Sequence, residues 1–259
     1  MTPRTLLLVV LITVVSCGGS PQDQPSNSSA AAGPPGGTIT IFAASSLTNA
    51  YDRIGDELTR LYPATRFVFN YGSSSTLATQ IVNGAPADVF ASADELNLQK
   101  VAGAALVQGS ASIFATNRLQ ITVAPGNPKR IVSLADLARR DLVVVLAAPS
   151  VPAGKYALDA LGKAGVTLVP ASQEVDVRAV LNKVAFGEAD AGIVYVTDVR
   201  SAAGRVAGVD IPEQQQVIAR YPVAALKESR NQRLSSLFIE FLLGPEGQRV
   251  LGDFGFTRP

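Results

Sequence analysis

The sequence predicts an α/β protein, because short β-rich runs alternate with amphipathic segments of helical length from Thr38 onward. The chain has 259 residues, of which 47% are hydrophobic and 17% charged, and this suits one large domain or two of roughly 100 residues each. Its 22 basic and 21 acidic side chains are scattered, whereas a nucleic-acid partner would require clustered Lys and Arg. We therefore expect a globular α/β fold that binds no nucleic acid.

The residue types that the chain lacks exclude most catalytic chemistry. It has no histidine, so a Ser-His-Asp triad, a Cys-His pair and a His-ligated zinc site are impossible. A single cysteine can form neither an internal disulfide nor a paired redox or metal site. Since neither a GxSxG motif nor a P-loop occurs, we expect a protein that is not an enzyme.

The N-terminus has the zones of a secretory signal peptide. Arg4 precedes an apolar run over residues 5–15, which is shorter than the about 20 residues that a membrane-spanning helix needs. The only cysteine, Cys17, follows this run in a pattern that resembles the lipobox of bacterial lipoproteins, and the alternative is a signal peptide with an incidental cysteine. We predict a signal peptide over residues 1–16, a lipidated Cys17 and a flexible linker over residues 17–37.

Hydrophobic periodicity places the elements along the chain. The first strand is predicted at residues 38–42, and the helix after it starts at Ser45 or Ser46, with apolar residues from Leu47 to Leu61 at spacings of three and four. Further strands are predicted at residues 66–71, 87–91, 119–124, 142–147, 191–196 and 221–226. Further helices are predicted at residues 76–82, 95–101, 134–139, 156–163, 177–186 and 231–243.

Two of the predicted strands differ from the others. Those at residues 119–124 and 221–226 are smooth apolar runs, bounded by polar or proline-containing segments and far apart in the sequence. We interpret them as crossings between two lobes. The first lobe then contains residues 38–120 and 221–259, and the second contains residues 121–220.

Small hydroxyl or glycine residues lie between a strand and a helix in three places. These are residues 43–48 (Ala-Ala-Ser-Ser-Leu-Thr), 72–77 (Gly-Ser-Ser-Ser-Thr-Leu) and 149–154 (Pro-Ser-Val-Pro-Ala-Gly). Unpaired N–H groups and the positive end of the helix dipole suit such a junction to an anion, and ordinary capping is the alternative for each. A fourth helix start has Asp176 as its N-cap, where a carboxylate repels an anion unless it points away.

Together these segments resemble one protein family. Over residues 38–259 the chain is similar to the molybdate-binding proteins of ABC importers, the ModA family of class II periplasmic binding proteins. The matching motifs are Phe-Ala-Ala-Ser-Ser-Leu-Thr-Asn-Ala at 42–50, Gly-Ser-Ser-Ser-Thr-Leu at 72–77, Gly-Ala-Pro-Ala-Asp-Val-Phe-Ala-Ser-Ala-Asp at 84–94, Val-Pro-Ala-Gly-Lys-Tyr at 151–156, Glu-Val-Asp-Val-Arg at 174–178, Gly-Ile-Val-Tyr at 192–195 and Phe-Gly-Phe at 254–256. The resemblance implies two lobes, each a mainly parallel sheet flanked by helices, with the ligand in the interlobe cleft.

The resemblance also implies which residues hold the ligand. The molybdate oxyanion would be bound by hydrogen bonds alone, from the hydroxyls of Ser46, Ser74 and Tyr195 and from the backbone N–H groups of Ala153 and Val177. No cofactor is implied. Replacement of either serine by alanine is then expected to weaken binding by about 1.5–3 kcal/mol, with almost no change in the unfolding temperature of the ligand-free protein.

Two positions depart from the family pattern. Ser45 replaces the commoner alanine, and Lys155 stands where an apolar residue is usual, so its ammonium either faces solvent or reaches the mouth of the cleft. The resemblance gives Asp88 and Asp94 a structural role and no role in binding.

A site made only of donors suits a tetrahedral dianion that carries no proton. Molybdate and tungstate meet this condition, whereas hydrogen phosphate needs an acceptor for its proton. Sulfate is also free of protons, so a sulfate receptor is the alternative, beside a receptor for a small organic acid and a purely structural lipoprotein. The sequence thus predicts a monomeric lipoprotein, held at the outer face of the cytoplasmic membrane by its lipid alone, that captures molybdate or tungstate for an ABC transporter permease.

Overall fold

The structure is a computed structural model that describes residues 36–259. The predicted signal peptide, Cys17 and nearly all of the predicted linker lie outside the described residues, so the statements about them stay predictions. Within the described range, no helix is long and apolar enough to cross a membrane.

Strands and helices alternate along the described chain, which confirms the α/β prediction. The strands are β1 (Gly37–Ala44), β2 (Thr65–Gly72), β3 (Val89–Ala91), β4 (Val107–Val123), β5 (Val144–Ala147), β6 (Ser172–Glu174), β7 (Ala191–Tyr195), β8 (Ala207–Asp210) and β9 (Ile218–Leu226). The helices are α1 (Thr48–Leu61), α2 (Ser74–Val82), α3 (Glu95–Gly103), α4 (Pro152–Lys163), α5 (Val177–Ala185), α6 (Val196–Ser201), α7 (Gln232–Leu243) and α8 (Pro245–Asp253). Short 3-10 turns cover Ser45–Leu47, Leu134–Ala138 and Glu213–Gln215.

The strands form one mixed sheet in the order β2-β1-β3-β9-β4-β7-β5-β6, and β8 also pairs with β4. At one end β1 pairs in parallel with β2 and β3, and at the other end β5 pairs in parallel with β6 and β7. The antiparallel pairs between described strands all involve β4 or β9, which lie in the middle of the order. The sheet is therefore parallel within each end group and antiparallel where the long strands connect the two groups.

The long strand β4 connects the two groups of parallel strands, because it pairs with β9 on one side and with β7 on the other. Its residues 107–118 pair with β9, and its residues 119–123 pair with β7. The prediction of a strand at residues 119–124 found only the second part. Several residues of the first part are exposed and polar, and a register shift interrupts its pairing before Ser112, so this part lacks the apolar alternation of an ordinary strand.

Helix α1 packs its apolar face into the core of the protein. Its side chains of Tyr51, Ile54 and Leu58 are fully buried, as the spacing predicted. The ring of Tyr51 packs edge-on against Phe238, with the ring centres 5.5 Å apart. The predicted apolar face is one residue too long, because Leu61 is the last residue of the helix and is 62% exposed.

Two helices begin earlier than the sequence predicted. Helix α4 starts at Pro152 instead of residue 156, and α2 starts at Ser74 instead of residue 76. Proline suits the first helical position because it has no N–H to leave unpaired there. These earlier starts place Ser74 and Ala153 in the first turns of their helices, where N–H groups have no intrahelical partner.

Several short elements were not predicted. They are β6, β8, α6 and α8, and residues 134–138 form a 3-10 turn where an α-helix was expected. Helix α8 contains Gly247 and Gly252, which are unfavourable in a helix interior, and β6 has only three residues. Tertiary packing, and not local preference, determines such elements.

Candidate anion-binding site

One small pocket lies where the N-terminal ends of several helices meet. Its lining consists of small side chains and one tyrosine: Ala44, Ser45, Ser46, Gly72, Ser73, Ser74, Ala93, Val151, Pro152, Ala153, Val177 and Tyr195. The five residues that the family resemblance assigned to the ligand are all in this lining. None of these described side chains carries a charge. The pocket therefore has a lining of mostly small, uncharged side chains, which suits a compact ligand.

Ser46 lies in the 3-10 turn between β1 and α1. Its side chain is 3% exposed, and its Oγ lies 2.9 Å from the hydroxyl oxygen of Tyr221. The hydroxyl of Thr48 donates to the carbonyl oxygen of Ser45 at 2.7 Å, and the fully buried Leu47 anchors the turn in the core. These contacts hold Ser46 against the pocket, and Ser45, the departure from the family pattern, lies beside it in the lining.

Ser74 is the first residue of α2. The preceding Ser73 caps the helix, because its Oγ accepts a hydrogen bond from the N–H of Thr76 at 3.2 Å. The fully buried Oγ of Ser74 accepts a hydrogen bond from the N–H of Ala93 at 2.9 Å, and its own proton stays available to a ligand. Since an alanine at position 74 would leave this buried N–H without an acceptor, the expectation that loss of the hydroxyl leaves stability unchanged is corrected.

Ala153 lies in the first turn of α4, which packs closely against the end of β5. Pro152 is the first residue of the helix and Ala153 the second, so the N–H of Ala153 has no partner within the helix. A Cβ atom at Gly154 would lie 2.1 Å from the carbonyl oxygen of Ala148 and 2.3 Å from that of Ala147. Only glycine allows the N-terminus of α4 to approach the end of β5 this closely.

Val177 is the first residue of α5, and its N–H likewise has no partner within the helix. The preceding Asp176 caps the helix, because its carboxylate accepts a hydrogen bond from the N–H of Ala179 at 2.9 Å. Asp176 is not part of the pocket lining. The capping prediction is therefore confirmed, and the carboxylate is engaged away from the pocket.

Tyr195 ends β7 and places a phenol in the lining. Its side chain is 1% exposed, and among residues 36–259 its hydroxyl has no hydrogen-bond partner. Buried phenols ordinarily find a partner, so an unpaired one at a pocket indicates a ligand. Mainly because of burial, the pKa of Tyr195 lies well above its ordinary value, and the hydroxyl stays protonated as a donor.

An ion pair between the buried Asp198 and the partly buried Arg178 lies next to Tyr195. The carboxylate of Asp198 accepts a hydrogen bond from the N–H of Tyr195 at 3.0 Å and lies 3.0 Å from Nε of Arg178. Burial raises the pKa of Asp198 to about 6, although the charge of Arg178 and the N–H of Tyr195 both act to lower it. The guanidinium of Arg178 also donates to Asn49 on α1 at 2.7 Å and to Ser201 on α6 at 2.8 Å. Arg178 therefore connects three helices beside the pocket.

Three residues that the sequence singled out lie outside the lining. The ammonium of Lys155 is 3.5 Å from Asp159 on the exposed face of α4, so it does not reach the pocket. Asp88 accepts hydrogen bonds from the backbone of β1 and of the loop before α7, and Asp94 caps α3. The two carboxylates have the structural role that was expected.

Sequence reasoning missed the polar residues behind Ser46. The hydroxyl of Tyr221 lies between Ser46 and the side-chain amide of Asn117, and that amide also donates to Thr197. Ser46 and Tyr221 are 175 positions apart. No local pattern in the sequence could have indicated this contact.

The chemistry of the lining suits an anion. Its polar side chains are hydroxyl groups, helix N–H groups face it, and its described residues offer neither carboxylate nor thiolate to a cation. Across the part of the chain that the structure describes, no three acidic, cysteine or histidine side chains are grouped so that they could hold a metal ion.

Comparison with known proteins shows the family of the chain. The family described as bacterial extracellular solute-binding protein matches residues 39–257. The chain is 43% identical over 222 residues to the molybdate-binding protein ModA of Mycobacterium tuberculosis, which covers 86% of this chain and 85% of that protein.

Solved structures show the same fold. The periplasmic molybdate-binding protein of Azotobacter vinelandii has a TM-score of 0.74 and 21% identity, with 85% of this chain and 99% of that one covered. The sulfate-binding protein SubI of Mycobacterium tuberculosis has a TM-score of 0.76 and 19% identity, with 85% and 86% covered. Because the family matches nearly all of the described residues, the chain belongs to the bacterial extracellular solute-binding proteins, with the α/β fold of class II periplasmic binding proteins.

Proposed function

We propose that this chain is an extracytoplasmic receptor that captures molybdate or tungstate and delivers it to the permease of an ABC transporter. The observation that carries the proposal is the buried hydroxyl of Tyr195, which has no partner among residues 36–259 and lies in a pocket to which those residues contribute no charged side chain. Such a donor needs an acceptor, and a tetrahedral oxyanion presents four acceptor oxygens. The likeness to ModA supports molybdate as that oxyanion.

Five donors are proposed to hold the anion. They are the hydroxyls of Ser46, Ser74 and Tyr195 and the N–H groups of Ala153 and Val177, all of which belong to residues of the lining. A hydrogen bond to a charged group contributes about 1.5–3 kcal/mol, so a handful of them offset the desolvation of the ion. The positive dipole ends of α2, α4 and α5 add to this attraction without a counter-charge.

The size and polarity of the pocket narrow the choice of ligand. A lining made mostly of small residues leaves little room, which favours a compact inorganic ion over an organic acid. A protonated anion is disfavoured because, within the described part of the chain, no carboxylate lines the pocket to accept its proton. A sulfate receptor is the second candidate, since sulfate carries no proton and SubI has a similar fold.

The proposal includes closure of two lobes over the ligand, with residues 38–120 and 221–259 in one lobe and residues 121–220 in the other. The support is that β4 changes its partner from β9 to β7 at residue 119, close to the proposed boundary. The two serines then lie on the first lobe, and the remaining three donors on the second. An anion that bridges both sets favours the closed form, which the permease would recognise.

The proposal also places the chain in the cell. Removal of residues 1–16 would leave Cys17 as a lipid-modified N-terminus that anchors a monomer at the outer face of the cytoplasmic membrane, with the linker as a tether. The support is the sequence pattern alone. The protein would bind and release its ligand without chemical change and without a cofactor.

Isothermal titration of the purified, ligand-free protein with molybdate, tungstate, sulfate and phosphate tests the function. We expect tight one-to-one binding of molybdate and tungstate and much weaker binding of the other two. Sulfate binding as tight as molybdate binding would replace the proposal with the sulfate receptor. Absence of binding by all four anions would refute an oxyanion receptor.

A further inference from the structure

Behind Ser46 lies a chain of three buried polar side chains that are not part of the pocket lining. Tyr221, Asn117 and Thr197 are at most 3% exposed. The amide Nδ2 of Asn117 lies 2.9 Å from Oγ1 of Thr197 and 3.4 Å from the hydroxyl oxygen of Tyr221. That hydroxyl lies 2.9 Å from Oγ of Ser46. The side chains thus connect α6, β4 and β9 to the turn that carries Ser46.

The direction of each hydrogen bond in this chain follows from its neighbours. Oδ1 of Asn117 accepts a hydrogen bond from the N–H of Arg118 at 2.9 Å, which fixes the amide so that Nδ2 faces Thr197 and Tyr221. An amide nitrogen only donates, so the oxygen of Tyr221 accepts from it. The single proton of the Tyr221 hydroxyl then has Ser46 as its acceptor. The opposite direction would bury this proton without any partner.

This direction determines what Ser46 offers to a ligand. Once Oγ of Ser46 accepts from Tyr221, the proton of Ser46 is free to point into the pocket. Ser74 has the same arrangement by a different route, because its Oγ accepts from the N–H of Ala93. Both serines therefore face the pocket as donors.

We propose that Tyr221 and Asn117 are positioning residues that hold the Ser46 hydroxyl in its donating direction and thereby favour oxyanions without a proton. This inference rests on the proposed function. A serine hydroxyl is otherwise free to rotate and to accept the proton of hydrogen phosphate. A hydroxyl held as a donor instead opposes the P–OH group, while molybdate and sulfate present only acceptors. The discrimination then depends on residues that never touch the ligand.

The test compares the wild type with Tyr221→Phe by titration with molybdate, sulfate and hydrogen phosphate. It is carried out at mildly alkaline pH, where phosphate is mainly the singly protonated dianion. We expect Tyr221→Phe to weaken molybdate and sulfate binding together by about tenfold, with hydrogen phosphate binding unchanged or tighter. The ratio of the phosphate Kd to the molybdate Kd thus falls by at least about tenfold, which mere loosening of the fold would not produce.

Two further variants separate positioning from a structural effect. In a Ser46→Ala background, Tyr221→Phe should cause no additional loss of molybdate affinity, because the tyrosine acts through that serine. Asn117→Asp keeps an acceptor for the N–H of Arg118 but accepts from Tyr221, which reverses the chain. Its added charge repels both dianions alike, so the selectivity ratio should again fall. Tyr51→Phe is the matched control, because that buried hydroxyl has no partner within the described residues and is not in the lining.

The outcomes distinguish this inference from the function on which it rests. A wild type that does not bind molybdate overturns the proposed function and this inference with it. A wild type that binds molybdate, together with a selectivity ratio unchanged in Tyr221→Phe and Asn117→Asp, overturns the inference alone. An equal loss from Tyr221→Phe with and without Ser46 would also overturn it.

Discussion

Removal of the Tyr195 hydroxyl should weaken ligand binding without lowering the stability of the ligand-free protein. It is buried in the pocket lining and has no hydrogen-bond partner within residues 36–259. Tyr195→Phe therefore removes no hydrogen bond within the described protein, but it removes one donor to the proposed anion. Since such a bond contributes about 1.5–3 kcal/mol, we expect the molybdate Kd to rise about 10- to 100-fold. The unfolding temperature of the ligand-free protein should not fall.

The chain contains a matched control for this change. Tyr51 is a second fully buried tyrosine whose hydroxyl has no partner in the described structure, and it lies in the core and not at the pocket. Tyr51→Phe removes the same atoms from a similar environment. We expect it to leave the molybdate Kd unchanged and, like Tyr195→Phe, not to lower the unfolding temperature.

Titration calorimetry measures the affinities, and thermal unfolding with and without molybdate measures both stabilities. The stabilisation by saturating molybdate should be smaller for Tyr195→Phe than for the wild type and for Tyr51→Phe, because it depends on the ratio of ligand concentration to Kd. Wild-type affinity in Tyr195→Phe would refute the assignment of this hydroxyl to the ligand. Equal losses in both variants would show that the effect does not arise at the pocket.

Three further changes test other parts of the site. Gly154→Ala places a Cβ atom 2.1 Å from a carbonyl oxygen, so we expect the protein to lose about 1–3 kcal/mol of stability and at least tenfold in molybdate affinity. Gly162 lies on the same helix, and a Cβ atom there would meet nothing within 4 Å. Gly162→Ala should therefore stabilise the protein by about 0.5–1 kcal/mol and leave molybdate binding unchanged. Ser74→Ala should lower both the molybdate affinity and the denaturant midpoint, because the N–H of Ala93 loses its acceptor; a midpoint equal to the wild type would contradict this. Burial raises the pKa of Asp198 from 3.8 to about 6, so the native state retains a proton that the unfolded chain releases, and this group's contribution to stability falls as the pH rises from 4 to 6. Relative to Asp198→Asn, the wild type should lose about 2 kcal/mol between pH 4 and pH 6, and parallel pH profiles in chemical unfolding would show the shift to be wrong.

The junctions between strands and helices could be predicted because their chemistry is local. Hydroxyl and glycine residues after an apolar run indicate both the end of a strand and the start of a helix, so the segments around Ser46, Ser74 and Ala153 were found from the sequence. The family motifs then selected one residue in each segment. The structure brings these residues, with Val177 and Tyr195, to one pocket.

Other features depend on contacts that no sequence window contains. The first part of β4 is stabilised by pairing with β9, at least 100 positions later, although several of its residues are polar and exposed. The hydrogen bond between Ser46 and Tyr221 likewise joins distant positions, and the sequence indicated Tyr221 only as part of an apolar strand. The closeness of Gly154 to β5 also appears only in three dimensions, since a Cβ atom at the helical glycines Gly103, Gly162 or Gly252 would meet nothing within 4 Å.

The most direct test of the central claim is a crystal structure of the molybdate complex, with anomalous scattering collected at the molybdenum absorption edge. We expect a single anomalous peak in the pocket, with oxyanion oxygens within hydrogen-bond distance of the hydroxyls of Ser46, Ser74 and Tyr195 and of the N–H groups of Ala153 and Val177. A peak elsewhere on the protein, or a pocket in which the hydroxyl of Tyr195 does not contact the anion, would contradict the account.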